Sequence, residues 1–409
     1  MIITKQKLTH DEVRNTIKVT ASKCISKYGD ILFDYMNSIF LAKLGNGSFF
    51  LSLYQSSEVI TSVIFNFLGG IVSDFKNRKD TIFYCDIFSG ISCILLGLLM
   101  PKGGFLYAIL LINVILAITS SLRNPAYKAV FKEIVYEKNI GKVNSILETG
   151  SEIIKISGPA ISVPIANFFG NRVGLILDGL SFILSGVLIK NLSILTEREV
   201  NIKRGTTFQQ IKEGFKYLGN NKAVLFIVIF SSLINFVLAG YNLILPFSTY
   251  AFSGSGHKST YAIFLTADSI GGLVGAAVSG LGPKKTTISR LLVLMIFCGC
   301  SLIPLNFLFE ISNSILLSST AILLFEFFLA IFNIRFMTFV QEKTDSNYAG
   351  RVFSIIFSVA ILFVPVGTFF FQAILSIKNA NNYILIGTLL TVISIVALLI
   401  NFFTNRWSR

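Results

Sequence analysis

Apolar residues occur along this chain in runs of about twenty, separated by short polar breaks, from near residue 17 almost to the carboxyl terminus. Each run is long enough to cross roughly 30 Å of hydrocarbon at about 1.5 Å per residue, so the pattern predicts membrane-spanning helices. Six spans fall near 17–43, 49–73, 81–100, 105–124, 145–168 and 171–193, and six more near 223–250, 258–281, 289–310, 312–335, 351–375 and 381–403. The expected fold class is an all-α membrane protein of about twelve transmembrane helices. Met1 to Lys18 is polar and the first apolar run continues into a full span, so a cleaved signal peptide is not expected.

Composition agrees with this pattern. A chain of 409 residues suggests two or three soluble domains by length alone, but 53% hydrophobic residues, 14% charged residues and a mean hydropathy of +0.72 contradict that. The net charge of +14 would fit a nucleic-acid partner if the basic residues were clustered; instead they follow loop parity. Lys43, Lys102, Arg172, Lys258 and Lys378 fall on one set of loops and Lys23, Lys27 and Lys155 fall within spans. The other Lys and Arg residues, Arg123 among them, are assigned to the termini and the alternate loops. This bias predicts that both termini are cytoplasmic and that the number of spans is even. The expected setting is a bacterial cytoplasmic membrane, with the lipid bilayer as partner and no nucleic acid.

The five cysteines, Cys24, Cys85, Cys93, Cys298 and Cys300, all lie in predicted spans without a C-x-x-C spacing, and read as packing residues. His10 and His257 lie in polar segments. No metal site and no cofactor are expected. No G-x-x-x-x-G-K-[ST] sequence is present, so energy for any transport must come from a gradient or a partner. The spans carry no His/Glu metal helix and no Ser/His pair, so no enzymatic activity is expected.

An internal repeat divides the chain. A shift of about 210 places Glu58 and Gly70 on Asp268 and Gly280, and a shift of 209 places Asn124, Glu133, Gly141, Val143 and Gly158 on Asn333, Glu342, Gly350, Val352 and Gly367. Two pseudo-symmetric six-helix bundles are expected, over 1–195 and 223–409. The connection at 196–222 is hydrophilic, and Phe208, Ile211, Phe215 and Leu218 recur within it at helical spacing. It reads as an amphipathic helix on the membrane surface or, alternatively, as a partner-binding helix.

After the second span, Gly69-Gly70-Ile71-Val72-Ser73-Asp74-Phe75-Lys76-Asn77-Arg78-Lys79 resembles the G-x-x-x-D-x-x-x-R-[KR] loop of the major facilitator superfamily. Asn124-Pro125-Ala126-Tyr127, Gly158-Pro159, Gly29-Asp30, Asp178-Gly179-Leu180-Ser181-Phe182 and Tyr348 through Ser354 are similar to its macrolide-efflux and enterobactin-exporter branch. The resemblance implies a major facilitator fold, a conformational latch at Gly70, Asp74, Arg78 and Lys79, and an antiporter-type motif at Gly158 and Pro159, favouring export. A Gly-Pro pair also serves simply to kink a helix. Two departures stand out. The arginine found midway along the fourth helix of many proton-coupled exporters has no counterpart between Leu110 and Ser121, with Arg123 placed lower, by the loop. The repeat of the latch, Gly280 to Lys285, has lost its acid.

Ionisable groups inside spans are functional candidates because their burial is costly. Asp34 is the first choice for a proton or cation site, with Asp30 four residues away on the same helical face, followed by Glu58, Asp268 and Glu152. Asp30 also reads as a cap on interhelical contacts, and Glu152 as the partner of Lys155. Asp86 and Asp178 read more readily as structural. Gln55, Asn235, Tyr241, Asn242, Glu326 and Asn333 are cavity-lining candidates. The expected function is a monomeric secondary exporter, a proton antiporter powered by the proton gradient, that extrudes an amphipathic small molecule or drug by alternating access. The alternatives are a dedicated exporter of a siderophore, peptide or other metabolite, and a non-transporting membrane sensor on the same fold. Coupling is expected mainly in the amino-terminal half.

Overall fold

The computed structural model describes residues 9–75, 77–99, 102–136, 139–195, 219, 221–252, 260–279, 286–343, 349–376 and 378–404. The predicted amphipathic helix within 196–222 therefore lies outside the described residues. Among the residues described there is no strand. The longer helices are α1 (His10–Ala42), α2 (Gly47–Phe75), α3 (Arg78–Leu99), α4 (Phe105–Ile134), α5 (Ile140–Lys190), α6 (Lys222–Ile244), α7 (Thr260–Ser279), α8 (Ile288–Leu302), α9 (Leu305–Ser312), α10 (Ile315–Lys343), α11 (Ala349–Ile374) and α12 (Asn382–Thr404), with a single turn at Ser248–Ala251 after α6. Eight helical stretches among the described residues are long and apolar enough to cross a membrane. They correspond to the third, fourth, sixth to tenth and twelfth predicted spans.

Local sequence explains where these helices begin and break. Thr9 and Glu12 form a capping box at the start of α1: the Thr9 backbone N–H and hydroxyl donate to Glu12 Oε2 at 2.9 and 3.1 Å, and the Glu12 N–H donates to Thr9 Oγ1 at 3.3 Å. Asn221 and Thr287 cap α6 and α8 by accepting from the N–H groups of Val224 and Arg290. Within α5 the helical path is interrupted at Gly170, where φ is +73° and ψ 167°. Glycine takes that conformation without a Cβ clash, so α5 comprises two limbs, as the break between the fifth and sixth predicted spans implies. The residues near 303–304 and the left-handed Asn313 (φ 49°) punctuate the stretch from α8 to α10.

The chain divides into two compact units, one of residues 1–41 and 60–202, the other of 42–59 and 203–409. In the first, α3 crosses the second limb of α5 where two glycines face each other. A Cβ on Gly90 would lie 2.7 Å from the Gly179 carbonyl, and a Cβ on Gly179 would lie 2.7 Å from the Gly90 carbonyl. Small residues at a crossing let backbones approach closely, which supplies packing in a solvent as apolar as the side chains themselves. A core of Val19, Ile82, Val130, Ile134, Val143 and Ile189 joins α1, α3, α4 and both limbs of α5 towards one end of this unit.

The second unit repeats the crossing. Here α8 meets α12 at Gly299 and Gly387, whose added Cβ atoms would lie 2.6 and 2.7 Å from each other's carbonyls. Gly299 is Gly90 shifted by 209 residues, and Gly387 is Gly179 shifted by 208. A second repeat-related contact involves Gly158, which packs on Ile31 of α1, and Gly367, which packs on Phe236 of α6. An aromatic cluster fills one region of this unit, with Tyr383 packed against Phe252, Phe264 and Tyr241 at centroid distances of 6.1 to 6.3 Å.

Candidate functional site

At one end of the first unit, the basic residues of the proposed latch have specific partners. Arg78 Nη1 donates to Glu133 Oε1 at 3.0 Å in a pair largely shielded from solvent, and Lys79 Nζ donates to the Leu192 carbonyl at 2.8 Å. The side chains of Gly70 and Asp74 lie outside the described residues. Nearby, Asn15 donates to the carbonyls of Ile134 and Ser193 and accepts from the Ser193 N–H, tying α1 to the segments that follow α4 and α5. Glu12 completes this clasp. Its carboxylate is buried and accepts from the Tyr136 N–H at 3.0 Å and from the Asn139 amide at 2.9 and 3.0 Å, besides Thr9. Burial alone would raise its pKa, but the hydrogen bonds from Asn139, Thr9 and Tyr136 outweigh it and hold the carboxyl below its ordinary value.

Deeper in the same unit lies a buried ionic network. Arg123 of α4 donates from Nη1 to Asp86 Oδ1 of α3 at 2.8 Å, and Asp86 has no solvent exposure. Ser185 donates to the other Asp86 oxygen at 2.7 Å and is itself bonded to Ser22 at 2.7 Å; Tyr127 joins the pair of serines. The guanidinium lies 5.0 Å from the centre of the Phe182 ring. Two more carboxylates interact electrostatically with this arginine: half-buried Asp30 of α1 and fully buried Asp178 of α5. Asp178 accepts a long contact from the Cys93 thiol at 3.8 Å through Oδ2, while Oδ1 is buried with no hydrogen-bond partner. Gly29 makes room for it, since a Cβ there would lie 2.5 Å from Oδ1.

This arrangement corrects the placement of Arg123 by the loop. The α4 helix continues through Pro125 to Ile134, so Arg123 sits about three turns from its end, buried rather than on a cytoplasmic loop. The signal was present in the sequence: Asp86, Arg123 and Asp178, in the third, fourth and sixth apolar spans, can be buried together only if the charges are compensated. Among the first-ranked candidates, Asp34 is exposed in the structure and contributes to the electrostatics of Asp178, and Asp30 faces the network directly. Glu58 is exposed, and the side chains of Glu152 and Pro159 lie outside the described residues. Gly158 is buried in close contact with Ile31, and the departure from helical backbone in α5 is at Gly170 rather than at this pair.

The repeat makes the network informative. Shifting Asp86 and Arg123 by 209 residues gives Met295 and Phe332, and shifting Asp178 by the 208 that relates Gly179 to Gly387 gives Ile386. All three are buried. The same helix framework therefore packs apolar side chains at these positions in one unit and ionisable ones in the other. The fold does not require the charges.

In the second unit, buried Tyr241 donates to Asp268 Oδ1 at 3.0 Å and stacks at an angle on Phe325, 4.7 Å between centroids. Glu326 packs beside Gly272 and interacts with Tyr241. Gln55 donates to the Asn242 carbonyl at 3.2 Å, Asn235 bonds back to the Ser231 carbonyl of its own helix, and Asn242 and Asn333 are exposed. Tyr241, Asp268 and Glu326 are thus brought together, whereas Asn235 and Asn333 are not joined to them by a hydrogen bond shown in the structure.

A sequence profile of the Major Facilitator Superfamily matches residues 24–368. Macrolide efflux protein A of Streptococcus pyogenes is 22% identical over 396 residues, covering 94% of this chain and 95% of that protein. BacE of Bacillus subtilis, a candidate bacilysin exporter by name, is 26% identical over 314 residues, covering 75% and 76%. The fold is similar to that of a D-xylose-proton symporter, with a TM-score of 0.70 at 14% identity over 94% of this chain and 97% of that one. It is also similar to a POT family transporter crystallised with a thioalcohol-conjugated peptide, with a TM-score of 0.72 at 12% identity over 97% of each. With a profile match across most of its length, full-length relatives among efflux proteins and apolar helices fit to cross a membrane, this chain belongs to the Major Facilitator Superfamily as a multi-pass membrane transporter.

Proposed function

We propose that this chain is a proton-coupled exporter of amphipathic small molecules, with its coupling groups in the first unit. The observation that carries the reading is the buried Asp86–Arg123 pair flanked by Asp30 and Asp178, at positions where the second unit holds only apolar side chains. Retaining ionisable groups at depth costs free energy that the apolar copy avoids, so their presence argues for use. Asp178 can accept a proton at Oδ1 without breaking a hydrogen bond, and a proton there changes the charge that Arg123 balances between Asp86 and Asp30. In this reading Asp34 is the exposed entry point to the network. Rocking of the two halves then presents it alternately to each aqueous phase. The protein works as a monomer in a bacterial cytoplasmic membrane, both termini inside, with the proton gradient as energy source and no cofactor.

The likeness to macrolide efflux protein A supports the export direction and suggests a macrolide as first test substrate. Everted vesicles acidified inside should accumulate a radiolabelled macrolide, and a protonophore should discharge it. Asp178→Asn should abolish gradient-driven accumulation while leaving exchange of labelled for unlabelled drug. Wild-type accumulation in that variant would remove the network from coupling. The likeness to BacE supports a second reading, a dedicated exporter of a small peptide or related metabolite. Vesicles that ignore macrolides but accumulate a short peptide would favour it. Absence of transport for a broad panel, with the protein folded, would favour a sensor.

A further inference from the structure

Beyond the pairing of Asp86 with Arg123, a continuous chain of hydroxyl groups leads away from the buried network. Ser185 of α5 donates to Asp86 Oδ2 at 2.7 Å and lies 2.7 Å from the hydroxyl of Ser22 on α1, and Ser22 is bonded in turn to the phenol of Tyr127 on α4. Proton counting fixes the sense of these bonds, because each hydroxyl carries one hydrogen. The Ser185 hydrogen is committed to the Asp86 carboxylate, so Ser22 donates to Ser185, and Tyr127 to Ser22. All three hydrogens therefore point towards Asp86. Helical hydroxyls elsewhere in the chain, such as those of Thr16, Ser121 and Ser232, donate to a carbonyl one turn back in their own helix. Ser22 and Ser185 bond between helices instead. Asp86, Ser185 and Ser22 have no solvent exposure, whereas Tyr127 is partly exposed. On α4, Tyr127 stands between Arg123 of the network and Glu133, the partner of Arg78, and it packs against the apolar core at that end of the unit.

The repeat shows that the fold does not impose this chain. A shift of 209 residues carries Ser22 to Ser231, but Tyr127 to Phe336 and Asp86 to Met295, so the second unit keeps the middle hydroxyl and lacks both the phenol and the acceptor at its ends. We infer that Tyr127, Ser22 and Ser185 form a proton relay between Asp86 and the cytoplasmic side of the first unit. The inference rests on the proton-coupled reading of the network and supplies its inner leg. Along α1, Asp30 and Asp34 lie about two and three turns beyond Ser22, away from the Arg78–Glu133 end, which the Lys and Arg distribution assigns to the cytoplasm. Asp34 thus stands on one side of the network and the hydroxyl chain on the other. A proton on Asp86 leaves when the hydroxyls turn to donate towards Tyr127. The carboxylic O–H breaks as its proton passes to the Ser185 oxygen, Ser185 passes its own hydrogen to Ser22, Ser22 to Tyr127, and Tyr127 to water. Each hydroxyl ends with one hydrogen, Asp86 ends as the carboxylate paired with Arg123, and water holds the proton. Inward proton movement along this path is the direction that an exporter driven by the proton gradient requires.

The test reconstitutes the full-length protein in proteoliposomes and follows substrate-driven proton movement with an enclosed pH-sensitive dye, in water and in heavy water, using the macrolide or short peptide that the vesicle assay selects. Tyr127→Phe installs the residue that the second unit carries at Phe336 and, like Ser22→Ala, leaves the bonds of Asp86 to Ser185 and Arg123 in place. A role confined to supporting Asp86 therefore predicts unchanged turnover in both variants. The relay predicts proton-coupled turnover about tenfold slower in Tyr127→Phe. Ser22→Ala, which leaves Tyr127 3.4 Å from Ser185, should slow it less, and the double variant should be no slower than Tyr127→Phe because both substitutions break the same path. Heavy water should slow Tyr127→Phe by a larger factor than the unaltered protein, since proton transfer becomes limiting; a packing defect alone leaves that factor unchanged. Unaltered protein that moves no protons with either substrate overturns the coupling reading and the relay with it. Normal coupling in the unaltered protein together with full-rate turnover in Tyr127→Phe overturns the relay alone, and a slow Tyr127→Phe with an unchanged isotope effect overturns it in favour of a packing role for the phenol.

Discussion

The Asp86–Arg123 pair permits a quantitative test because the chain contains its own apolar copy of the site. Arg123→Leu leaves the Asp86 carboxylate at zero exposure with Ser185 as its remaining partner. Breaking a buried ion pair from one side costs about 3–5 kcal/mol, since the remaining charge is uncompensated. At roughly 2–4 °C per kcal/mol for a cooperative unit of about 200 residues, the apparent midpoint should fall by about 6–20 °C. Asp86→Met combined with Arg123→Phe installs the residues that the second unit carries at Met295 and Phe332. Replacing a buried pair by apolar residues of suitable volume is neutral, or stabilising by about 1–4 kcal/mol, so the double variant should recover most or all of the lost midpoint. It should still fail to accumulate drug. A thiol-reactive dye can follow unfolding of the detergent-solubilised protein, because Cys93 and Cys298 are buried and free. Macrolide accumulation in everted vesicles reports function. A wild-type midpoint for Arg123→Leu would refute the claim of an obligate charge partner. A double variant that accumulates drug normally would refute the claim that the charges are kept for transport.

Four further outcomes are expected. Glu12 has a folded pKa below its ordinary value near 4.5, so its contribution to stability is complete above that value and is lost as pH falls through the folded pKa; the thermal midpoint should show no loss from this group between pH 8 and 5, and Glu12→Gln should lower it at pH 7 and shrink the acid-induced drop. A midpoint unchanged by Glu12→Gln at pH 7 would count against the clasp. Glu133→Gln should slow turnover measured in proteoliposomes while leaving substrate binding intact, and exchanging Arg78 and Glu133 should restore part of it; unaltered turnover would exclude a latch at this pair. Gly179→Ala forces a Cβ to within 2.7 Å of the Gly90 carbonyl and should destabilise the protein by about 1–3 kcal/mol, read as a lowered midpoint, with little effect if the crossing is looser than the structure indicates. Asp34→Asn should reduce gradient-driven accumulation in vesicles, and accumulation at the wild-type level would leave Asp30 as the acid through which α1 takes part.

The fold was legible because membrane helices announce themselves by length and hydropathy, and the helices fall on the apolar runs, with α1, α4 and α10 extending about seven to ten residues beyond them. Even the division of α5 at Gly170 coincides with the polar interruption between two predicted spans. The site was less legible. Period and spacing identify Asp30 and Asp34 as neighbours on one helix face, but the partners of buried charges come from other helices, and a single sequence does not state which helices cross. The apolar run ends near Arg123, which reads as the start of a loop, whereas α4 persists for about three turns beyond that residue. Gly90 and Gly179 set the α3–α5 crossing, and that crossing is what places Ser185 against Asp86 and, about two turns along, Cys93 against Asp178.

The internal repeat separates what the fold needs from what each unit adds. The glycine pair at the α3–α5 crossing recurs at α8–α12, and Gly158 on α1 recurs as Gly367 on α6, so these contacts belong to the architecture common to both units. The residues of the buried network do not recur: Met295, Phe332 and Ile386 stand at the counterparts of Asp86, Arg123 and Asp178. Two copies under the same packing constraints have therefore kept the glycines that position helices, and the acids Glu58 and Asp268 and Glu133 and Glu342, but diverged at the buried Asp86, Arg123 and Asp178. A charge that mattered only for folding would be expected at both repeat positions or at neither, because the packing problem is the same in each. The asymmetry instead supports the proposed use of the network in proton coupling by the first unit. Asp178→Asn should accordingly keep a thermal midpoint close to that of the unaltered protein while losing gradient-driven accumulation, and a midpoint lowered as far as that of Arg123→Leu would refute the claim that this acid is kept for transport.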